Sequence, residues 1–174
     1  MDRRQDGDMY EPERFKSTEY LAVLDQSGNE YHCSFSDTAL DAMKSAAETG
    51  YPLEICGLLI GNLENNSWII EEARQVENLN KERASDRFQL DPNGYQSIDR
   101  ELRGSGREII GVFHSHPDCP AKPSPTDLEN AWEGFIYPII SVCDGNVSNQ
   151  LNWALNADGN KFSSVTIQET TSQA

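Results

Sequence analysis

The sequence predicts a single domain of the α/β or α+β class. Three observations support this prediction: short runs rich in β-branched and aromatic residues, three intervening segments with helical spacing of apolar residues, and no internal repeat of the kind that builds a solenoid. At 174 residues the chain has the usual length of one domain, and folding can bury enough apolar surface to form an independent core.

The first half of the chain predicts one helix followed by two strands. Apolar residues recur at helical spacing over residues 35–50, with Ser36 as the N-cap and Gly50 at the end. An apolar run at residues 55–60 ends at a Gly-Asn pair, which is typical of a buried strand that turns toward its neighbour. Residues 68–76 are the expected partner strand.

The second half predicts two further helices and several strands. In chain order we expect a short strand at 87–90, a helix at 92–103, a strand at 108–115, a helix at 124–133, and strands at 137–143, 151–155 and 161–167. Gly104 is a typical residue after a helix end. Pro117 closes the most β-rich of these runs because it lacks the N–H that would continue a ladder.

Composition argues against two classes of partner. The chain carries 14 Lys and Arg against 29 Asp and Glu, a net charge of −15, which repels nucleic acid phosphates and anionic lipid surfaces. We attribute this acidity to solubility or to a salty environment rather than to a basic partner. No apolar stretch approaches the roughly 20 residues of a membrane span, and the N-terminus lacks the apolar core of a secretory signal. A cytoplasmic location is therefore expected.

The cysteines and the chain ends carry little functional signal. The four cysteines form no C-x-x-C pair and are too sparse for a disulfide framework, so reduced thiols are expected. Cys119 lies three residues after a candidate metal ligand, but most such cysteines are bystanders. Residues 1–16 and 168–174 are polar and without periodicity, so we expect mobile tails there.

The segment with chemical content is His-Ser-His-Pro at residues 114–117, followed by Ser-Pro-Thr-Asp at 124–127. Side chains at positions i and i+2 of a strand project from the same face, so His114 and His116 can present two imidazoles to one point. Asp127 can supply a carboxylate, because Ser124 as N-cap places it in the first turn of a helix. A catalytic zinc typically keeps three protein ligands of these types and one open position.

Each of these residues also has a structural interpretation. Ser-x-x-Asp at a helix start resembles a capping box, and single histidines are often satisfied polar groups. The chain has only three histidines, and two of them occur as H-x-H after a buried strand, so a metal site explains the combination better than coincidence. The third, His32, is expected to be structural or exposed.

The combined pattern resembles the JAMM (also MPN-plus) metalloprotease motif, in which a distant Glu precedes H-x-H, seven residues and S-x-x-D. Seven residues separate His116 from Ser124, so the spacing matches without departure. The stretch from Glu54 to Gly61 resembles the E-x-C-G-L-L-x-G sequence around the family's glutamate. Sequence alone would not single out Glu54 among the acids, and the resemblance does so. Arg-Phe at 87–88 and Ala-Trp at 131–132 resemble the compact bacterial branch, which includes peptidases that release cysteine from a sulfur carrier.

The resemblance implies a fold, a metal and a set of roles. It implies a cytidine-deaminase-like core, a curved mixed β-sheet flanked by about three helices, over residues 34–167. Residues 1–33 would then be a partly mobile N-terminal extension and 168–174 a polar tail. It also implies zinc held by His114, His116 and Asp127, with Glu54 as general acid and base and Ser124 stabilising the oxyanion.

The implied activity is hydrolysis of an amide bond after the C-terminal Gly-Gly of a ubiquitin-like or sulfur-carrier protein. Two alternatives remain, a general zinc peptidase without that specificity and a noncatalytic MPN scaffold. Such scaffolds usually lack one or more ligands, whereas this chain retains the full set. A zinc nucleoside deaminase is disfavoured because the H-x-E and P-C-x-x-C signature is missing. The oligomeric state cannot be inferred from the sequence.

Overall fold

The structure is a computed structural model that describes residues 11–168. Its helical elements are a 3-10 helix at Glu13–Lys16 and the α-helices α1 Thr18–Leu21, α2 Asp37–Gly50, α3 Pro92–Leu102 and α4 Pro125–Glu129. Its strands are β1 His32–Phe35, β2 Cys56–Glu64, β3 Ser67–Val76, β4 Glu108–Pro117, β5 Ile136–Cys143, β6 Asn146–Leu155, β7 Phe162–Ser164 and β8 Thr166–Ile167.

The strands form one mixed sheet in the order β7-β6-β5-β4-β2-β3-β1-β8. β4 pairs with β5 in parallel, and β1 is parallel to both β3 and β8, whereas the other pairs are antiparallel. The α+β class that the sequence predicted, and the mixed sheet flanked by helices that the family resemblance implied, are therefore confirmed. The described residues contain four α-helices rather than about three, and two of these, α1 and α4, are only about one turn long.

The sheet is strongly curved, because one short segment, residues 162–167, supplies the strands at both of its edges. β7 and β8 lie at opposite ends of the strand order, yet only Val165 separates them in sequence. The N–H of Val165 donates to Asn152 on one side of this junction, at 2.8 Å. Thr166 and Gln168 donate to Tyr31 and Cys33 on the other side, at 3.0 and 2.7 Å. The segment 162–167 therefore closes the sheet on itself.

The central strands are buried on both faces, which explains the continuous apolar run of β2. One face packs on α2 through a core that includes Met43, Ala47 and Phe113. The other face packs on α3 through Ile98 and Leu102. Helix α2 begins as predicted, because the Ser36 hydroxyl accepts the Ala39 N–H at 3.0 Å.

Several predicted elements differ from the structure. The strands expected at 55–60 and 151–155 are longer, since β2 continues to Glu64 and β6 begins at Asn146. Residues 87–90 form only an isolated bridge between Leu90 and Asn78, because the Asn78 amide itself bonds the Arg87 carbonyl at 3.0 Å and the Gln89 N–H at 2.9 Å. Helix α4 ends at Glu129 instead of continuing to 133. The predicted strand at 161–167 is two strands on opposite edges of the sheet.

The N-terminal region also departs from expectation. Residues 1–10 of the predicted mobile tail, and 169–174 of the predicted polar tail, lie outside the described residues. Residues 13–16 are ordered as a 3-10 helix, and Phe15 within it is only 4% exposed. The sequence did not predict this helix, because a single buried aromatic side chain leaves no periodic pattern. Among residues 11–168, no helix is long and apolar enough to span a bilayer.

Candidate metal centre

The end of β4 places two imidazoles side by side. His114 and His116 are 2% and 7% exposed, and their Nε2 atoms are 3.1 Å apart. β4 is fixed on both sides, because His114 pairs with Cys56 of β2 and with Ile139 of β5. The i, i+2 spacing on a central strand therefore produces the shared face that the sequence predicted.

Asp127 reaches the same point from the first turn of α4. Its Oδ1 lies 3.7 Å from His114 Nε2. Its Oδ2 accepts the Ser124 N–H at 2.8 Å, while its own N–H donates to Ser124 Oγ at 3.0 Å, which completes a capping box. The capping and metal-site interpretations are therefore compatible, since one carboxylate oxygen caps the helix and the other faces the imidazoles.

The geometry of this cluster fits a tetrahedral metal ion. The ligand atoms of His114, His116 and Asp127 all lie within 4.8 Å of one another. Two ligands bonded to zinc at about 2.0–2.1 Å in a tetrahedral arrangement are about 3.3–3.4 Å apart, close to the 3.1 and 3.7 Å observed here. Neither Cys119 nor His32 belongs to the cluster.

The protonation states of the imidazoles also suit metal binding. Burial lowers the pKa of His114 to about 4 and lowers the pKa of His116, so both are neutral near pH 7. The His116 Nδ1–H is 2.8 Å from the Pro120 carbonyl, which directs the Nε2 lone pair into the cluster. His114 Nδ1 is buried and has no hydrogen-bond partner within residues 11–168.

Glu54 reaches the site from the chain just before β2, two residues ahead of Cys56. The Ser115 N–H donates to the Ile55 carbonyl at 3.0 Å, and the Ile55 N–H donates to Ser115 Oγ at 2.9 Å. Continued two residues beyond the Cys56–His114 pair, this antiparallel register places Glu54 across from His116 on the same face of the sheet. Glu54 is 8% exposed, and burial, followed by the charges of Asp127 and Asp86, raises the pKa of its carboxyl well above the usual value.

A cleft of about 600 Å³ connects these groups. All five side chains that the sequence singled out line it: Glu54, His114, His116, Ser124 and Asp127. Two phenylalanines that were not predicted as site residues also form its walls. The Phe88 ring stacks on His114 at 4.5 Å, and the Phe15 ring lies 6.2 Å from His116. Phe88 was noted only as part of a resemblance, and no pattern signalled Phe15.

Known proteins with similar sequences support the resemblance that the motif indicated. A family model for prokaryotic homologs of the JAB domain matches residues 36–156. The chain is 33% identical over 114 residues to a desampylase of Haloferax volcanii, a match that covers 64% of this chain and 78% of that protein. It is 26% identical over 123 residues to a CysO-cysteine peptidase of Mycobacterium tuberculosis, covering 70% and 82% respectively.

Solved structures share the fold. A protein from Desulfitobacterium hafniense superposes with a TM-score of 0.68 at 25% identity, covering 79% of this chain and 92% of that one. A protein from Salinibacter ruber superposes with a TM-score of 0.62 at 32% identity, covering 81% and 94%. The match therefore extends over nearly the whole of both solved proteins.

Proposed function

Because this chain belongs to the family of prokaryotic homologs of the JAB domain, we propose that it is a zinc-dependent JAMM-type hydrolase that cleaves the amide bond after the C-terminal Gly-Gly of a ubiquitin-like or sulfur-carrier protein. The observation that carries the proposal is the convergence of two neutral imidazoles and one carboxylate in a cleft that also contains a buried glutamate. We assign the catalytic domain to residues 34–167.

The proposed ligands are His114 Nε2, His116 Nε2 and Asp127 Oδ1. Zinc in this position would supply Lewis-acid chemistry, polarising the scissile carbonyl and making water a usable nucleophile near neutral pH. The remaining steps belong to side chains of the cleft. The capping box fixes the Asp127 carboxylate, and the Pro120 carbonyl fixes His116, so the ligand set is arranged before the metal binds.

Glu54 is the proposed proton carrier. Its carboxylate would accept the proton of the attacking water and later return it to the leaving amine. The raised pKa of Glu54 suits both roles, because a carboxyl with a pKa nearer to neutrality holds a proton more readily than a solvated one. Arg87 and Arg14 act in the opposite direction and favour its ionised form, which is the form that must begin the cycle.

Ser124 is the proposed oxyanion donor. Its Oγ accepts the Asp127 N–H in the capping box, which leaves the hydroxyl hydrogen available to donate into the cleft. A hydroxyl already held by a helix cap needs little reorganisation to meet a developing negative charge. Ser124 is 9% exposed, so this donor acts in a largely water-excluded position.

The proposed substrate tail is extended and lacks side chains. Along the segment that lines the cleft at residues 85–90, the Arg87 carbonyl and the Gln89 N–H face Asn78. In an extended chain the intervening groups point the other way, and neither the N–H nor the C=O of Phe88 has a hydrogen-bond partner within residues 11–168. These groups are available to pair with a peptide backbone, and a Gly-Gly tail has no side chains to obstruct that pairing.

The names of the relatives, a desampylase and a CysO-cysteine peptidase, support a hydrolase that acts on a carrier or modifier protein. The proposal can be tested directly. Zinc-loaded enzyme is incubated with a ubiquitin-like or sulfur-carrier protein that bears an added residue after Gly-Gly, and loss of that residue is followed by mass spectrometry. We expect the enzyme to release the added residue from the carrier, and we expect this release to stop with chelator and to resume with added zinc.

Two other outcomes would contradict the proposal. Efficient zinc-dependent cleavage of unstructured peptides without Gly-Gly would identify a general peptidase. Zinc binding at one ion per chain without hydrolysis of any carrier or peptide would identify a noncatalytic scaffold.

A further inference from the structure

Residues 11–25, here called the strap, form part of the cleft although they precede the family match, which begins at residue 36. Three of its side chains, Arg14, Phe15 and Tyr20, line the cleft. The part of the chain that matches the family model therefore does not include one of the walls of this cleft.

The strap is fixed at both ends. Near its start, Glu11 forms an ion pair with Lys122 at 3.2 Å, two residues before Ser124. Near its end, the Phe162 N–H donates to the Val23 carbonyl and the Asp25 N–H donates to the Phe162 carbonyl, both at 2.7 Å. The strap thus spans from the loop before α4 to strand β7, across one side of the metal centre.

Between these anchors, a tight turn brings two rings together. The Ser17 hydroxyl donates to the Arg14 carbonyl at 2.7 Å and accepts the Tyr20 N–H at 3.2 Å. This holds the Phe15 and Tyr20 rings 5.0 Å apart in an edge-to-face contact. Phe15 is 4% exposed, and its ring is 6.2 Å from that of His116.

Phe15 has a counterpart across the cluster. Phe88 stacks on His114 at 4.5 Å, so one phenylalanine lies beside each imidazole. Phe88 lies inside the family match, whereas Phe15 comes from the strap. A substrate carbonyl that reaches the cluster enters a cleft that has an aromatic ring beside each of the two imidazoles.

We propose that Phe15 is a specificity-determining residue that forms the wall of the substrate slot on the His116 side and excludes side chains from the last residue of the tail. This inference rests on the proposed function. A glycine at that position leaves room beside the Phe15 ring, whereas a Cβ and its substituents compete with the ring for the same space. The ring is held by Tyr20 and the anchored strap, so it cannot move aside without breaking those contacts.

The first test compares two substrates with one enzyme. A carrier ending in Gly-Gly and a carrier ending in Gly-Ala, each with the same added residue, are given to wild type, Phe15→Ala and Phe15→Leu. We expect the ratio of kcat/KM for Gly-Ala over Gly-Gly to rise about 10-fold or more in Phe15→Ala and less in Phe15→Leu, since pocket discrimination of one small group is typically 10- to 200-fold. Tyr31→Ala truncates a half-buried aromatic outside the cleft and should leave the ratio unchanged.

The ratio of kcat/KM for the two carriers separates a specificity role of Phe15 from a purely structural role. Equal loss with both substrates in Phe15→Ala would show that the ring only supports the fold, and equal gain would show that the strap merely obstructs entry. Either result overturns the inference. Cleavage of Gly-Gly carriers by wild type is recorded in the same experiment, so failure of the proposed function is seen separately.

A second test does not depend on activity. Cys119 lines the cleft, and its Sγ accepts from the Arg14 guanidinium at 3.4 Å, whereas Cys143 is absent from the cleft lining. If Phe15 walls the cleft, Phe15→Ala should raise the rate at which a bulky maleimide labels Cys119 several-fold and leave labelling of Cys143 unchanged. Site-resolved mass spectrometry measures both thiols in one sample. An unchanged rate at Cys119 would overturn the inference even if the enzyme proved inactive on every carrier.

Discussion

The two imidazoles of the candidate metal centre are held by different means. The Nδ1 of His116 is hydrogen-bonded to the Pro120 carbonyl, whereas the buried Nδ1 of His114 has no hydrogen-bond partner in the described part of the chain. His114 is instead covered by the stacked ring of Phe88 at an interplanar angle of 27°. A hydrogen bond fixes both the tautomer and the direction of a lone pair, while stacking restrains only the plane of the ring. The orientation of the His116 ring is therefore fixed by a hydrogen bond to the backbone, and that of the His114 ring by packing.

The largest effect should come from removing either imidazole, because three ligands are the minimum for a catalytic zinc site of this type. We expect His114→Ala and His116→Ala each to purify with far less than one zinc per chain and without hydrolytic activity. Elemental analysis of the purified protein measures the metal, with His32→Ala as the control that keeps it. A variant that retained stoichiometric zinc would remove that histidine from the ligand set.

Glu54 precedes β2 and lies across from His116 when the β2–β4 register is continued, so it belongs with the imidazole that a backbone carbonyl orients. We expect Glu54→Gln to lower kcat by about 10²- to 10⁴-fold with zinc content unchanged, because an amide cannot accept the proton of water. Glu129→Gln changes an exposed acid of the same cleft and should remain active. Similar activity in the two variants would contradict the proton-carrier role.

Ser124 caps helix α4 and is also the proposed oxyanion donor, and these two roles can be separated. We expect Ser124→Ala to lower kcat by about 100-fold, less than Glu54→Gln, since zinc retains part of the oxyanion stabilisation. Ser124→Gly also lacks the hydroxyl but costs only a few tenths of a kcal/mol as an N-cap, against about 1 kcal/mol for alanine. Equal kinetic losses in both variants would support the hydroxyl as donor. A loss confined to alanine would trace the effect to capping.

Phe88 tests the comparison between the two imidazoles most directly. Because His114 has no hydrogen bond at Nδ1, removing its stacked ring should loosen that ligand, and we expect Phe88→Ala to weaken zinc affinity about 10-fold, the lower end of the effect of removing an orienting neighbour. Phe15→Ala should leave affinity nearly unchanged, because Pro120 still fixes His116. Competition with a fluorescent chelator measures both. Equal weakening would mean that packing holds the two histidines alike.

The smallest effect concerns stability in the zinc-free protein. Burial raises the pKa of Glu54 above its unfolded value of 4.5, so its contribution to stability is fully present below about pH 4.5 and is lost as the pH rises through the folded pKa. We expect the Tm of Glu54→Gln to exceed that of wild type by a margin that grows with pH, at about 2–4 °C for each 1 kcal/mol in a domain of this size. Thermal unfolding with chelator from pH 4.5 to 8 measures the difference. A margin that is constant across pH would contradict a buried, uncompensated carboxyl.

The parts of the site that rest on local geometry could be predicted from the sequence. The shared face of His114 and His116 follows from the two-residue period of a strand, and the position of Asp127 follows from helix capping. Glu54 is brought to them by the register of β2 on β4, which the residues themselves do not encode in any short pattern, and only the family resemblance identified it.

The structural features that the sequence did not predict have a different physical origin. Phe15 is buried through tertiary contacts of a single ring, so no periodicity marks it, and the polar residues around it indicated a mobile tail. The expected strand at 87–90 failed for a related reason, because the Asn78 side chain takes the place of a neighbouring strand. Tertiary interactions made by a single side chain leave no signal in composition or spacing.

The closure of the sheet by residues 162–167 has a consequence for biosynthesis. Strand β1 gains its outer neighbour, and the strap gains its anchor at Phe162, only from residues that the ribosome adds long after it has made the strap itself. Contacts of such large sequence separation form late because the intervening chain must first be ordered. A nascent chain that has completed the histidine motif therefore has neither a closed sheet nor a completed cleft wall. The cleft wall that we propose to set substrate specificity is therefore completed only once residues 162–167 have emerged.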